Sequence, residues 1–150
     1  SSLRPVADQL VSDVQGLIKA FPTQDFNAGD LALRTHEILE NTLQFQLTGD
    51  EDMGSGTTLA TASANISGTK ELLSVLTPLI QSRSPRLLGQ IQPALDRTTR
   101  LVQAAQKPDG SWTPLDQLSL TQREQLNGTM GHLLELLSPI PDLLEVRKSG

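Results

Sequence analysis

The chain has 150 residues, a formal net charge of −5, 19% charged and 3% aromatic residues, and no cysteine. That length suits one domain or one half of a larger one. The acidic balance argues against a nucleic-acid partner, which needs clustered Lys and Arg, and the missing cysteines exclude disulfides and thiolate metal sites. A leucine- and alanine-rich composition with few rings favours helix-on-helix packing over a sandwich of sheets. No apolar run approaches the roughly 20 residues of a bilayer span, and no signal-peptide pattern opens the chain. The start, Ser1-Ser2-Leu3-Arg4-Pro5, is already close to helical and reads as a cut-down, mature or proteolytic piece.

Taken in order, residues 5–21 form the first predicted helix, with Pro5 at its start and Pro22 ending it. Leu3, Val6, Leu10, Val14, Leu17 and Phe21 give the stripe of a bundle helix. A short loop over 23–30 offers Asn27 and Asp30 as caps for a second helix over 31–47, which ends before Gly49. On that helix Leu33, His36, Glu40, Leu43 and Leu47 are spaced 3, 4, 3 and 4 apart and share one stripe. A histidine and a carboxylate in an apolar stripe are costly unless paired or bound to something. His36 and Glu40, one turn apart, are either a His–Glu pair at the rim of the core or two ligands of one ion, suited to iron, zinc or copper. Glu37 lies off the stripe.

Residues 50–56 form an acidic turn that lacks the spacing of a calcium-binding hand and the lysine of a phosphate loop. It is either solvated or contributes to a metal site. The third helix keeps a 3-4 repeat through Leu59, Ala62, Ile66, Thr69, Leu73, Leu76 and Ile80, a bundle seam. Gly68 within it predicts a close helix contact, and Pro78 a kink in the last turn. A fourth helix begins at Ser84-Pro85, ends near Lys107, and buries Leu88, Ile91, Leu95, Val102 and Ala105; Pro93 predicts a bend or break. After the 107–110 turn, Trp112 plugs the end of the bundle and a short helical piece runs to Leu118. A capping box at Thr121 and Glu124 opens the last helix, whose stripe is Leu126, Met130, Leu133 and Leu137. His132 and Glu135 lie on its polar face. One more apolar turn is expected over 142–147. The fold class is all-α: an up-and-down four-helix bundle with short extra helical pieces.

The run Leu47-Thr-Gly-Asp-Glu-Asp-Met-Gly-Ser55, then Thr57-Thr-Leu59 and Ala64-Asn-Ile-Ser-Gly68, resembles the imelysin-like domain of bacterial cell-envelope iron-uptake proteins of the EfeO and EfeM type. The closing Leu-Leu-Glu-Leu-Leu-Ser-Pro-Ile-Pro141 is similar to the final helix of such proteins. The resemblance covers most of the chain and implies an all-helical domain of two similar four-helix bundles, of which this chain is the second. It places the metal-associated G-x-H-x-x-E motif in the other, N-terminal half; here Met130 stands where that motif has its glycine. It assigns Glu40 to an acidic position of the family and Glu51 and Asp52 to its acidic turn, and it implies a periplasmic or extracellular setting. Gly56, Thr58 and Thr61 stand where many relatives carry polar His and Asp. The family has been called peptidase-like, but no nucleophile–base pair or activated-water site can be assembled here.

Two functions follow as expectations. The first is a non-catalytic metal-binding module associated with iron uptake, with Glu40, His36, Glu51 and Asp52 facing the N-terminal half. The second is a bundle whose apolar face docks a partner domain or a second copy, with no metal of its own.

Overall fold

The computed structural model describes residues 3–25 and 27–145. Six α-helices account for most of them: α1 (Arg4–Ala20), α2 (Ala28–Asn41), α3 (Thr58–Arg83), α4 (Pro85–Gln103), α5 (Leu120–Leu137) and α6 (Ile140–Leu144). α2 packs on α3, α3 on α4, α4 on α5, and α5 returns to α2, which closes a four-helix bundle. The short α6 packs against α2 and α3.

The core forms where the 3-4 periodicity is strictest. Every residue of the predicted α3 seam is buried, as are Leu126, Met130, Leu133 and Leu137 on α5. The hydroxyl of Thr69 sits in that seam with no hydrogen-bond partner among the described residues. On α4, Ile91, Ala94, Leu95, Thr98 and Val102 face inward, while Leu88 is only partly covered. Both interior prolines are accommodated within unbroken helices. The carbonyls that lose their proline-position donor belong to Ser74 and Gly89, both exposed residues, where solvent can supply a donor at little cost. The bend or break expected at Pro93 is therefore not a break.

Other boundaries differ from expectation for local reasons. The capping box is built by Ser119 and Gln122, not Thr121 and Glu124: Ser119 Oγ accepts from the Gln122 N–H at 3.3 Å and Gln122 Oε1 accepts from the Ser119 N–H at 2.9 Å. Asn27 caps α2, its Oδ1 accepting from the Gly29 N–H at 3.0 Å, and Asp30 lies in the first turn. Gly68 is exposed and a Cβ there would meet nothing within 4 Å, so the expected close contact is absent. Trp112 packs against the core as a half-buried plug, its backbone bridged to Gln106. The next residue is tied to the turn that follows α4, Thr113 N–H donating to Ala105 O at 2.9 Å. The final turn is Ile140–Leu144; residues 146 and 147 of the expected one lie outside the described residues.

The largest departure is α1. The helix is where the sequence places it, yet none of its residues is buried, and its substantial contacts are with the turn that follows it. It is not a member of the bundle.

Candidate functional site

The inward face of α2 is Ala32, Thr35, Leu39 and Thr42. The two threonines are tolerated there because each hydroxyl is satisfied on its own helix: Thr35 Oγ1 donates to Ala32 O, and Thr42 Oγ1 to Ile38 O, both at 2.7 Å. The stripe read from apolar spacing is thus rotated off the core. Leu33 is 39% exposed, and His36 and Glu40 occupy the flank between core and solvent.

On that flank His36 Nδ1 lies 3.6 Å from Glu40 Oε2, with side chains 23% and 41% exposed. The separation is long for a direct hydrogen bond, and both groups remain reachable from solvent. Gln44 Nε2 donates to Glu40 Oε1 at 3.1 Å and steadies the carboxylate from the next turn. Glu37 is paired instead with Arg34.

Immediately beyond, the helix widens into a π-turn over Thr42–Gln46, closed by Leu47 N–H to Thr42 O at 2.9 Å. The distortion turns Leu47 into the core, where it is 6% exposed. Asn65 on α3 anchors this point, its Nδ2 donating to Thr42 Oγ1 at 2.9 Å. Periodicity passed over Asn65, although an asparagine in a helix interior is a signal in itself, since its side chain competes with the helix unless it bonds elsewhere.

The acidic turn is an ordered loop. Gly49, Gly54 and Gly56 have φ of 85°, 80° and 67°, and Met53 joins them at 51°. Asp52 is the hub that this backbone wraps around. Its Oδ2 accepts from Thr58 Oγ1 at 2.7 Å, and its Oδ1 from the Gly56 N–H at 2.6 Å and from Ser55 Oγ at 3.2 Å. These donors, Thr58 first, hold its carboxyl below the usual aspartate value. Glu51 is held elsewhere, accepting from Gln46 Nε2 at 2.8 Å. Loop and α4–α5 connection together enclose an open pocket of about 480 Å³ lined by Thr48, Asp50, Asp52, Leu115, Asp116 and Arg123, among others.

The Asp52 cluster makes a pH prediction. Its folded carboxyl titrates below its unfolded counterpart, so its contribution is complete above the ordinary aspartate value of about 3.9. That contribution is lost as pH falls through the folded value. Asp109, lowered by Ser111, adds to the same loss. Melting temperature should therefore fall on acidification below about pH 4, and fall less in Asp52→Asn, with part of the residual slope owed to Asp109.

The four residues singled out from sequence are thus two neighbouring pairs: His36 with Glu40 on α2, and Glu51 with Asp52 in the loop. No three or more His, Asp or Glu side chains among the described residues are gathered closely enough to hold an ion by themselves. His132 and Glu135 on α5 are 3.7 Å apart, with side chains 61% and 80% exposed.

A closed helical bundle with a His–Glu pair on one flank and a carboxylate-centred turn at one end defines the class: an all-α module whose polar chemistry lies on its surface. The chain belongs to the imelysin family (Peptidase M75), which matches residues 1–140. It is 27% identical over 141 residues to the iron uptake system component EfeM of Pseudomonas syringae pv. syringae strain B728a, covering 91% of this chain and 48% of that protein. It is also 27% identical over 138 residues to the iron uptake system component EfeO of Escherichia coli O157:H7, and 26% identical to that of Shigella flexneri. In each of these two matches 92% of this chain and 36% of the relative are covered. The chain therefore spans about half the length of these relatives, or less. No helix among the described residues is long and apolar enough to cross a membrane.

Proposed function

We propose that this chain is a non-catalytic module of a bacterial iron-uptake system, working at the cell envelope as the second half of a two-part imelysin-like domain. Its α2 flank contributes metal ligands to a cleft that the N-terminal half completes. The observation that carries the proposal is the His36–Glu40 pair, 3.6 Å apart and reachable from solvent on a helix that Asn65 and the π-turn hold in place. Imidazole and carboxylate on one helical face suit iron, and also zinc or copper. Two ligands leave coordination positions for the partner half, which supports a shared site. Iron here is cargo, and the family names of the relatives support its choice over other ions.

Glu51 is a further candidate ligand beside the turn. Asp52 would join only by giving up its bonds from Thr58 and Gly56, so its first role is to shape the loop.

Calorimetric titration with ferrous, ferric, zinc and copper ions, beside Glu40→Ala, tests the proposal. The expected result is saturable binding by the chain that the variant loses while circular dichroism is unchanged. No binding by the folded chain alone leaves it as half a cleft or a scaffold. Binding that survives in Glu40→Ala, or no binding even after the N-terminal half is added, counts against α2 as a ligand-bearing flank. The docking reading then stands alone, supported by the uncovered apolar face of α1.

A further inference from the structure

α1 is strongly amphipathic, yet among the described residues its apolar face is left exposed. Val6, Leu10, Val14 and Leu17, flanked by Val11 and Ile18, are between 47% and 68% exposed. At 100° per residue these six side chains span an arc of about 140°, wider than the seam of a two-stranded coiled coil and typical of a helix laid against a bundle. The bundle it would need is not α2–α5, whose helices already close on one another around a filled core. Nor does the polar face suit a lipid surface, which favours Lys and Arg there: Arg4 and Lys19 are offset by Asp8 and Asp13, and Arg4 lies 3.9 Å from Asp8. The family match nevertheless includes α1, and the EfeM relative is about twice as long as the matched stretch.

We propose that α1 belongs structurally to the other half of the domain: it crosses over and completes the helical packing of the N-terminal half, and the turn at Phe21–Thr23 is the hinge between halves. The occupant of the apolar face is thus the helical surface of that half. This rests on the two-part reading above, but not on metal binding.

The test mixes the 150-residue chain, in EDTA, with a separately expressed probe: the part of Pseudomonas syringae EfeM outside its matched stretch. Sedimentation reads the complex, and hydrogen exchange reads the amides of α1. A 1:1 complex is expected, with α1 amides slowed at least about tenfold. Leu10→Glu with Val14→Glu should abolish it without changing the melting of the chain alone, because neither side chain is buried; Ser12→Glu, on the polar face, should leave it intact. A complex that forms equally with the double variant would sink the α1 assignment and spare the two-part reading. No complex at all would sink both. A dimer of the chain alone that the double variant dissolves, with no mixed complex, would make a second copy the occupant and overturn the proposal.

Discussion

Replacing Leu39 with alanine should cost the fold about 3 kcal/mol, read as a lowered urea midpoint at unchanged slope. Leu39 is fully buried and is the one large apolar side chain that α2 sends wholly into the core; its other inward positions are Ala32, Thr35 and Thr42. A small residue and two back-bonded threonines cannot compensate for its loss. Against a typical domain stability of 5–15 kcal/mol, about 3 kcal/mol is a large share. The companion Leu33→Ala distinguishes the two stripes of α2. Leu33 belongs to the stripe read from sequence but is 39% exposed, and its truncation should cost no more than about 0.5 kcal/mol. Equal costs at the two positions would mean that the helix is rotated from the arrangement described here.

The second large effect is expected at Gly49. Its φ of 85° lies in the left-handed region, and a Cβ there would sit 3.5 Å from Leu115 Cδ2. Contact at that distance is ordinary, so the backbone decides the cost. Gly49→Val should destabilise by about 2 kcal/mol, since a left-handed residue costs roughly 1–2 kcal/mol and a branched side chain fits it worst. Gly49→Asn should be milder, because asparagine visits this region more readily. Gly68→Ala should have the opposite sign, a gain of roughly 0.5–1 kcal/mol, because that glycine lies inside α3 facing open space. Thermal melts of the three variants settle both signs.

What could be read in advance divides along physical lines. The seams of α3 and α5 were legible because their inward positions are almost all apolar, so apolar spacing and burial are the same pattern. α2 was misread because Thr35 and Thr42 face inward with their hydroxyls returned to their own backbone, an arrangement that a count of apolar residues scores as surface. The face of α1 was legible, but periodicity reports a face and not what covers it. At the candidate site the i, i+4 spacing of His36 and Glu40 predicted their proximity, since one helix carries both. The ring of donors around Asp52 was not legible, because it depends on four left-handed residues spread over positions 49–56 that fold the loop back onto Thr58. Glycine at 49, 54 and 56 permits that path without specifying it, and Met53 gives no hint of it.

The plug at the α4–α5 corner has an optical consequence. The chain contains one tryptophan, no tyrosine and three phenylalanines, so near-ultraviolet excitation is absorbed almost entirely by Trp112. That indole is half-buried against the core, two residues before Pro114 and three before Leu115 at the rim of the loop pocket. Its emission colour is therefore a native reporter of hydration at a single corner of the molecule. It registers loosening of the bundle at that corner without any attached dye.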